Sequence, residues 1–289
     1  MNLAFWIAAT RPKTLLAGVV PVALGVALAA PTTPISWPHA IGCLLAAILI
    51  QVATNFANDA IDARKGADTP DRLGPTRAVA SGQISERAML AATLALLAMA
   101  LAIGIWLSLR GGWPILALGV ISLACAWGYT GGPLPLAYHG LGDVFVWLFF
   151  GLVATVGTAW IQIAPMDVAI PEGWWLAGSA VGLHATVILA VNNWRDRHSD
   201  AEASKRTLAV RLSGRAYSRY LAALLLGATV CYWLIALTWA ALLAAVGGLL
   251  IYRGLFRTEG RALNAYLGRS AGLEAACATL AILELIGVL

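Results

Sequence analysis

Two stretches of the chain place amide and carboxylate side chains in helical register. In the first, Asn55, Asn58, Asp59 and Asp62 stand at i, i+3, i+4 and i+7, and Asp68 and Asp71 form a further i, i+3 pair after Gly66. In the second, Asn192, Asp196 and Asp200 stand at i, i+4 and i+8. Residues so spaced share one face of an α-helix. Like charges on one face repel each other, and a divalent cation offsets that repulsion directly. An all-oxygen donor set suits Mg²⁺ rather than zinc. Mg²⁺ usually takes one or two carboxylates and completes its shell with water and phosphate oxygens. Two such stripes, followed by Lys65, Arg72 and Arg77 in one case and by Lys205 and Arg206 in the other, would clamp a diphosphate. Solvated, charge-balanced loops would account for either cluster alone, but they leave the shared helical register unexplained.

A third segment, from Tyr129 through Gly131, Gly132, Pro133, Pro135 and Tyr138 to Asp143, is rich in Gly and Pro and carries one carboxylate. It lacks the Gly-Lys-Ser/Thr of a Walker-type loop, and by itself it reads as a tight turn. His184, Glu274 and Glu284 are ionisable groups inside apolar runs, where a hydrogen-bonded structural role and a direct one are both open. Cys43, Cys125, Cys231 and Cys277 have no Cys-x-x-Cys spacing and read as packing residues.

The elements that must position these residues follow from composition. Of 289 residues, 60% are hydrophobic and 11% charged, with a mean hydropathy of +0.80. That excludes a soluble domain, a disordered chain and a disulfide scaffold. About 20 apolar residues cross a bilayer as a helix. Nine segments qualify, near 14–30, 39–57, 88–109, 113–128, 141–162, 174–192, 219–237, 239–252 and 272–289. The net charge of +5 bears on sidedness rather than on nucleic acid. With nine spans, 18 of the 19 Lys and Arg fall on the side of the N-terminus, and only Arg110 falls opposite. The positive-inside rule then makes that side cytoplasmic. No signal-peptide cleavage pattern precedes the first span. The expected fold is an all-α integral membrane protein, a bundle of nine transmembrane helices with two long cytoplasmic cap loops. Residues 1–289 form one domain, with the acidic-motif loops at 55–87 and 192–218. These loops hold much of the acidic charge, and both lie on one face.

At this level the chain resembles the UbiA-type aromatic prenyltransferases over nearly its whole length. The likeness rests on Arg11-Pro-Lys-Thr-Leu15, on Asn58-Asp59-x-x-Asp62-x-x-Lys65-Gly66-Ala-Asp68-Thr-x-Asp71-Arg72, on Tyr129-Thr-Gly-Gly-Pro-x-Pro-Leu-x-Tyr138-x-Gly-Leu-Gly142, and on Asn192-Asn-x-Arg-Asp196-x-x-x-Asp200 with Lys205-Arg206-Thr-Leu-Ala-Val-Arg-Leu212. Ala60 stands where the family usually has Tyr, and Asp143 where it usually has Glu. The Arg-Pro-Lys-Thr-Leu and Lys-Gly-Ala-Asp-Thr strings point to the branch whose acceptor is 1,4-dihydroxy-2-naphthoate, in menaquinone synthesis.

The resemblance implies a polyprenyl diphosphate and an aromatic acid as substrates, in the cell inner membrane, with no nucleic acid and no obligate protein partner. It implies two Mg²⁺ ions, one served by Asn58 and Asp62 and the other by Asp196 and Asp200, with Asp59 and Asn192 in close support. Lys65, Arg72, Arg77, Lys205 and Arg206 would share the diphosphate charge, Tyr129 would face the allylic cation, and Asp143 would orient an acceptor hydroxyl. Arg11 or Lys13 would hold the acceptor carboxylate, which departs as CO₂. The alternatives are the same chemistry on another acceptor such as 4-hydroxybenzoate and, more remotely, a cation-coupled transporter. Transporters place ion sites near the midplane on broken helices, whereas these acids gather at one face.

Overall fold

The computed structural model describes residues 3–66, 73–74, 76–133, 135–166 and 168–289, except for the Lys13 side chain. Asp68, Asp71, Arg72 and the side chain of Lys13 therefore lie outside the described residues. Among the described residues all regular structure is helical. The elements are α1 (Leu3–Ala9), α2 (Pro12–Ala29), α3 (Trp37–Arg64), α4 (Glu86–Gly111), α5 (Trp113–Gly128), α6 (Gly142–Val146), a π-helical stretch (Trp147–Val156), α7 (Gly157–Ile163), α8 (Glu172–Glu202), α9 (Leu208–Arg211), α10 (Gly214–Leu234), α11 (Thr238–Leu255) and α12 (Asn264–Leu285), with short 3₁₀ turns between some of them.

Each apolar segment expected from the sequence coincides with one of these helices or with the run from α6 to α7. Five are long and apolar enough to cross a membrane, namely α3, α4, the run Gly142–Met166, α8 and α11, and α1 with α2 would make a sixth as one bent span. α5 is apolar but shorter, at 16 residues. Outward-facing side chains on these helices are themselves apolar, among them Leu94, Ile105 and Leu109 on α4 and Leu242, Val246 and Leu250 on α11. Such a surface suits lipid contact and not water.

One expectation is corrected. The acidic stripes do not begin loops at 55 and 192, because α3 continues to Arg64 and α8 to Glu202. At 1.5 Å per residue, the 28 residues of α3 make a helix about 42 Å long, well beyond the ~30 Å of a bilayer core. The surplus turns carry the motif residues. Helix ends follow local chemistry. Ser85 and Ser213 cap α4 and α10 by accepting from the N–H groups of Ala88 and Ala216. Glu284 of α12 accepts from the N–H groups of Trp239 and Ala240 at the start of α11.

α8 is the central helix, in contact with α2, α10, α12 and the π-helical stretch. Its small residues permit close approach. A Cβ on Gly182 would lie 2.5 Å from the carbonyl oxygen of Trp147 and 2.8 Å from the Cα of Gly151. This is the small-residue crossing that lets helices pack tightly in membranes. It fixes α8, which bears the second stripe, against the wall formed by the π-helical stretch. Gly182→Val is therefore expected to cost about 1–3 kcal/mol through forced backbone separation, read as a lowered Tm of the detergent-solubilised protein. An unchanged Tm would contradict this packing.

Candidate active site

A cavity of about 380 Å³ runs between α2, α3, α4, α5, the α6–α7 run and α8. One end is polar and is lined by Asn58, Asp62, Arg77, Asn192, Asp196, Asp200 and Lys205. The remainder is apolar, with Val22, Leu107, Ile115, Leu123, Phe149 and Val153 among its walls. The two stripes, far apart in sequence, thus face one another across a single opening.

At that opening each buried carboxylate is held by a cation. Asp62 is 3% exposed, accepts from the ammonium of Lys205 at 2.7 Å and from the hydroxyl of Tyr138 at 2.9 Å. Asp196, 6% exposed, takes a bidentate contact from Arg195, at 2.7 Å from Nε and 2.5 Å from Nη2. Unpaired, either carboxylate would be costly to bury. Asn58 accepts from the Thr130 hydroxyl. The hydroxyl of Thr207 is buried in the same cavity wall with no hydrogen-bond partner among the described residues, a donor available to a ligand.

Arg195 also reaches Asn192 Oδ1 and Asn264 Oδ1, both at 2.8 Å. The Asn264 amide donates in turn to the carbonyl of Leu73 at 3.0 Å. A chain of hydrogen bonds therefore joins the second stripe, the start of α12 and the segment that follows the first stripe. Its donor and acceptor roles are complementary at every link, which is what keeps a buried polar network in one arrangement.

Arg11 lines the cavity from the junction of α1 and α2. Its backbone is left-handed, at φ 54° and ψ 66°, an uncommon conformation for a side chain of this size. The carbonyl of its neighbour Thr10 accepts from the Asn55 amide at 2.9 Å, so the first stripe also holds this bend. Tyr129 lines the cavity just past α5. Burial first, and the nearby carboxylate of Asp143 second, push its phenol well above the usual range, so it stays neutral. Asp143 lines the cavity too and accepts from Tyr220 at 2.6 Å.

The structure thus gathers Arg11, Asn58, Asp62, Arg77, Tyr129, Asp143, Asn192, Asp196, Asp200 and Lys205 around one space. Three expected site residues are not brought there. Asp59 turns to the other flank of α3, where its two oxygens accept from the N–H groups of Ala78 and Val79 at 3.2 and 2.9 Å. Lys65 donates to the Thr130 carbonyl at 3.0 Å and sits 4.0 Å above the Tyr138 ring. Arg206 points its side chain to solvent and is joined through its backbone to Tyr138 and Arg211. Ala60 is packed with Phe56, Ala78, Ile84 and Met89, so the departure there falls on helix packing and not on the cavity. Conversely, Arg195, Tyr138, Thr130 and Asn264 hold the site together, and Thr207 lines it, without having been assigned roles from the sequence. All but Asn264 did lie inside the quoted motifs.

Among the described residues no three His, Cys, Asp or Glu side chains converge to hold a metal alone. The cavity mouth offers instead two pairs of oxygen-bearing residues, Asn58 with Asp62 and Asp196 with Asp200. Each pair is incomplete without water or phosphate oxygens, and Mg²⁺ is commonly held in that way.

The UbiA prenyltransferase family model matches residues 18–266, and the chain belongs to that family of membrane prenyltransferases. It is 38% identical over 221 residues to the 1,4-dihydroxy-2-naphthoate octaprenyltransferase of Mycobacterium tuberculosis (strain ATCC 25618 / H37Rv), covering 76% of this chain and 73% of that protein. It is 37% identical over 232 residues to the enzyme of the same name from Escherichia coli (strain K12), covering 78% of this chain and 74% of that protein. The fold is shared with a UbiA homologue from Archaeoglobus fulgidus bound to DMAPP and Mg²⁺, at a TM-score of 0.67 and 16% identity over 99% of this chain and 100% of that one.

Removing the Asn264 link tests the network. Asn264→Ala is expected to raise the Mg²⁺ needed for half-maximal diphosphate release about tenfold, the usual scale for a lost outer partner of a metal ligand. An unchanged Mg²⁺ dependence would contradict it.

Proposed function

We propose that this chain transfers a polyprenyl group from polyprenyl diphosphate to 1,4-dihydroxy-2-naphthoate, with loss of CO₂ and diphosphate, giving the quinol form of demethylmenaquinone. The observation that carries the reading is the facing of the two acidic stripes across the polar mouth of one apolar cavity. The relatives named for that reaction, similar over about three quarters of their length, support the choice of acceptor. All nine apolar segments then cross the inner membrane, with the N-terminus and the site on the cytoplasmic side.

Asn58 with Asp62, and Asp196 with Asp200, would each hold one of two Mg²⁺ ions. Bound there, the metal supplies Lewis-acid neutralisation of the departing diphosphate. The chain's own residues do the rest. Lys205 exchanges its contact with Asp62 for one with the diphosphate, and Arg77 and Thr207 add donors from the cavity wall. The allylic C–O bond breaks, and the electron pair leaves with the diphosphate. The apolar cavity shields the resulting cation from water, while the neutral ring of Tyr129 offers it a π-face. The acceptor ring carbon attacks the cation, and the carboxylate then departs as CO₂, returning its electron pair to the ring. Arg11, held at the bend beside Asn55, takes that carboxylate before the step, and Asp143, steadied by Tyr220, accepts from an acceptor hydroxyl.

The direct test is the product mass from membranes supplied with Mg²⁺, a polyprenyl diphosphate and the acceptor. The expected product has lost CO₂ and diphosphate. A preference for 4-hydroxybenzoate would overturn the acceptor, and turnover in excess EDTA would overturn the metal role. Asp62→Ala and Asp196→Ala should each abolish turnover in protein that still inserts. Arg11→Gln should raise the acceptor KM about tenfold or more, the range for a lost charge-assisted hydrogen bond, with a smaller change in the KM for the prenyl diphosphate. An equal rise in both would contradict the assignment of Arg11.

A further inference from the structure

A second cavity, of about 350 Å³, opens between the start of α10 and the end of α11 and shares no lining residue with the first. Arg215, Arg253 and Arg257 line it, with Ser218 and the rings of Tyr252 and Phe256. All three guanidiniums belong to exposed residues. Among the described residues no carboxylate lies within ion-pair distance of any of the three.

Topology alone would place basic residues on this side of the membrane, and the dipole of α11 favours Arg253 in its last turn. Neither explains the convergence. Arg215 lies in the first turn of the 21-residue α10, where the dipole disfavours a cation. Arg253 lies in the last turn of α11 and Arg257 just past its end, and as like charges on one pocket they repel each other. Three like charges gathered on one pocket, one of them at the wrong helix end, are relieved by an anion. The N-terminal N–H groups of α10 favour an anion in the same place.

With α10 and α11 crossing the bilayer as the proposed function has them, the pocket at their ends would lie at headgroup level. Its floor is aromatic, with Tyr252 and Phe256 packed edge to face at 5.6 Å, as is common at membrane interfaces. Further into the bundle the same two helices continue outward-facing and apolar. Leu226 is three turns beyond Arg215, and Leu249 and Val246 lie one and two turns before Arg253; they are 64%, 47% and 60% exposed. Acyl chains would lie along this surface. Phe256 in turn packs edge to face on Trp194 at 5.2 Å, the residue immediately before Arg195, which holds Asp196 of the second stripe.

We propose that this pocket binds the phosphate headgroup of an anionic membrane lipid, with its acyl chains along α10 and α11. The site is separate from the substrate cavity and does not depend on the acceptor or on the prenyl reaction. Occupancy braces the Phe256–Trp194 contact behind the second stripe.

The test uses the full-length protein in neutral detergent. Binding of dioctanoylphosphatidylglycerol is compared with that of dioctanoylphosphatidylcholine and of inorganic phosphate. The phosphatidylglycerol is expected to bind at least tenfold more tightly than either. Arg215→Gln, and Arg253→Gln with Arg257→Gln, should each reduce it toward the phosphatidylcholine value, while Arg87→Gln on α4 leaves it unchanged. Equal binding of the two lipids by the unaltered protein would overturn the proposal, and that comparison relies on no variant. Tighter binding of inorganic phosphate than of the lipid would assign the pocket to a free anion and would equally overturn the lipid. A preference that survives the arginine substitutions would place the lipid elsewhere.

Discussion

Asp62 and Asp196 are buried carboxylates in a chain with very little charge, and each accepts from a cation, Lys205 or Arg195. The rest of the structure serves that condition. A carboxylate at the end of an apolar bundle persists in ionised form only beside a positive partner. The ion pairs thereby hold the two carboxylates in place. Under the proposed function Lys205, which lines the cavity, would turn to the diphosphate, while Arg195 stays on Asn192 and Asn264.

The same requirement shapes the helices. α3 and α8 are the two longest, at 28 and 31 residues, and their surplus turns lift the stripes clear of the apolar layer while the helix bodies line the cavity. The site thus has one polar end for breaking an ester bond and an apolar remainder for keeping a reactive carbon away from water. α12 joins the polar network through Asn264, and its Leu267 lines the cavity. Asn264 accepts from Arg195 and donates to the Leu73 carbonyl, tying the segment after one stripe to the other.

Much of this was legible in the residues themselves. Hydropathy located every long helix, and the sidedness of Lys and Arg gathered the acidic motifs at one face. Spacing arithmetic then identified Asn58, Asp62, Asn192, Asp196 and Asp200, all of which line the cavity. The same arithmetic misplaced Asp59. Consecutive residues on a helix point about 100° apart, so a stripe at i, i+3, i+4 and i+7 has two flanks, and a cavity takes only one. Asn58 is on the cavity flank, whereas Asp59 is on the flank that anchors Ala78 and Val79. Loop boundaries were misjudged because hydropathy stops where the membrane stops, while the backbone hydrogen bonds continue. Arg195 and Asn264 could not be paired from sequence, since 69 residues separate them and neither has a periodic partner. Lys65 and Arg206 were expected at the diphosphate by charge and proximity, but the Lys65 ammonium is taken up by the Thr130 carbonyl and the Tyr138 ring, and the Arg206 backbone is bonded to Tyr138 with its side chain toward solvent.

The central claim is that the two stripes form one binding site and not two independent ones. It is tested by titrating a non-reactive thio analogue of a prenyl diphosphate into the detergent-solubilised protein with Mg²⁺, using Asp62→Asn, Asp196→Asn and the double variant. A shared site predicts that each single change abolishes most of the Mg²⁺-dependent binding and that the double variant is scarcely worse, because interacting groups are not additive. Additive losses across the three variants, or tight binding without Mg²⁺, would contradict it.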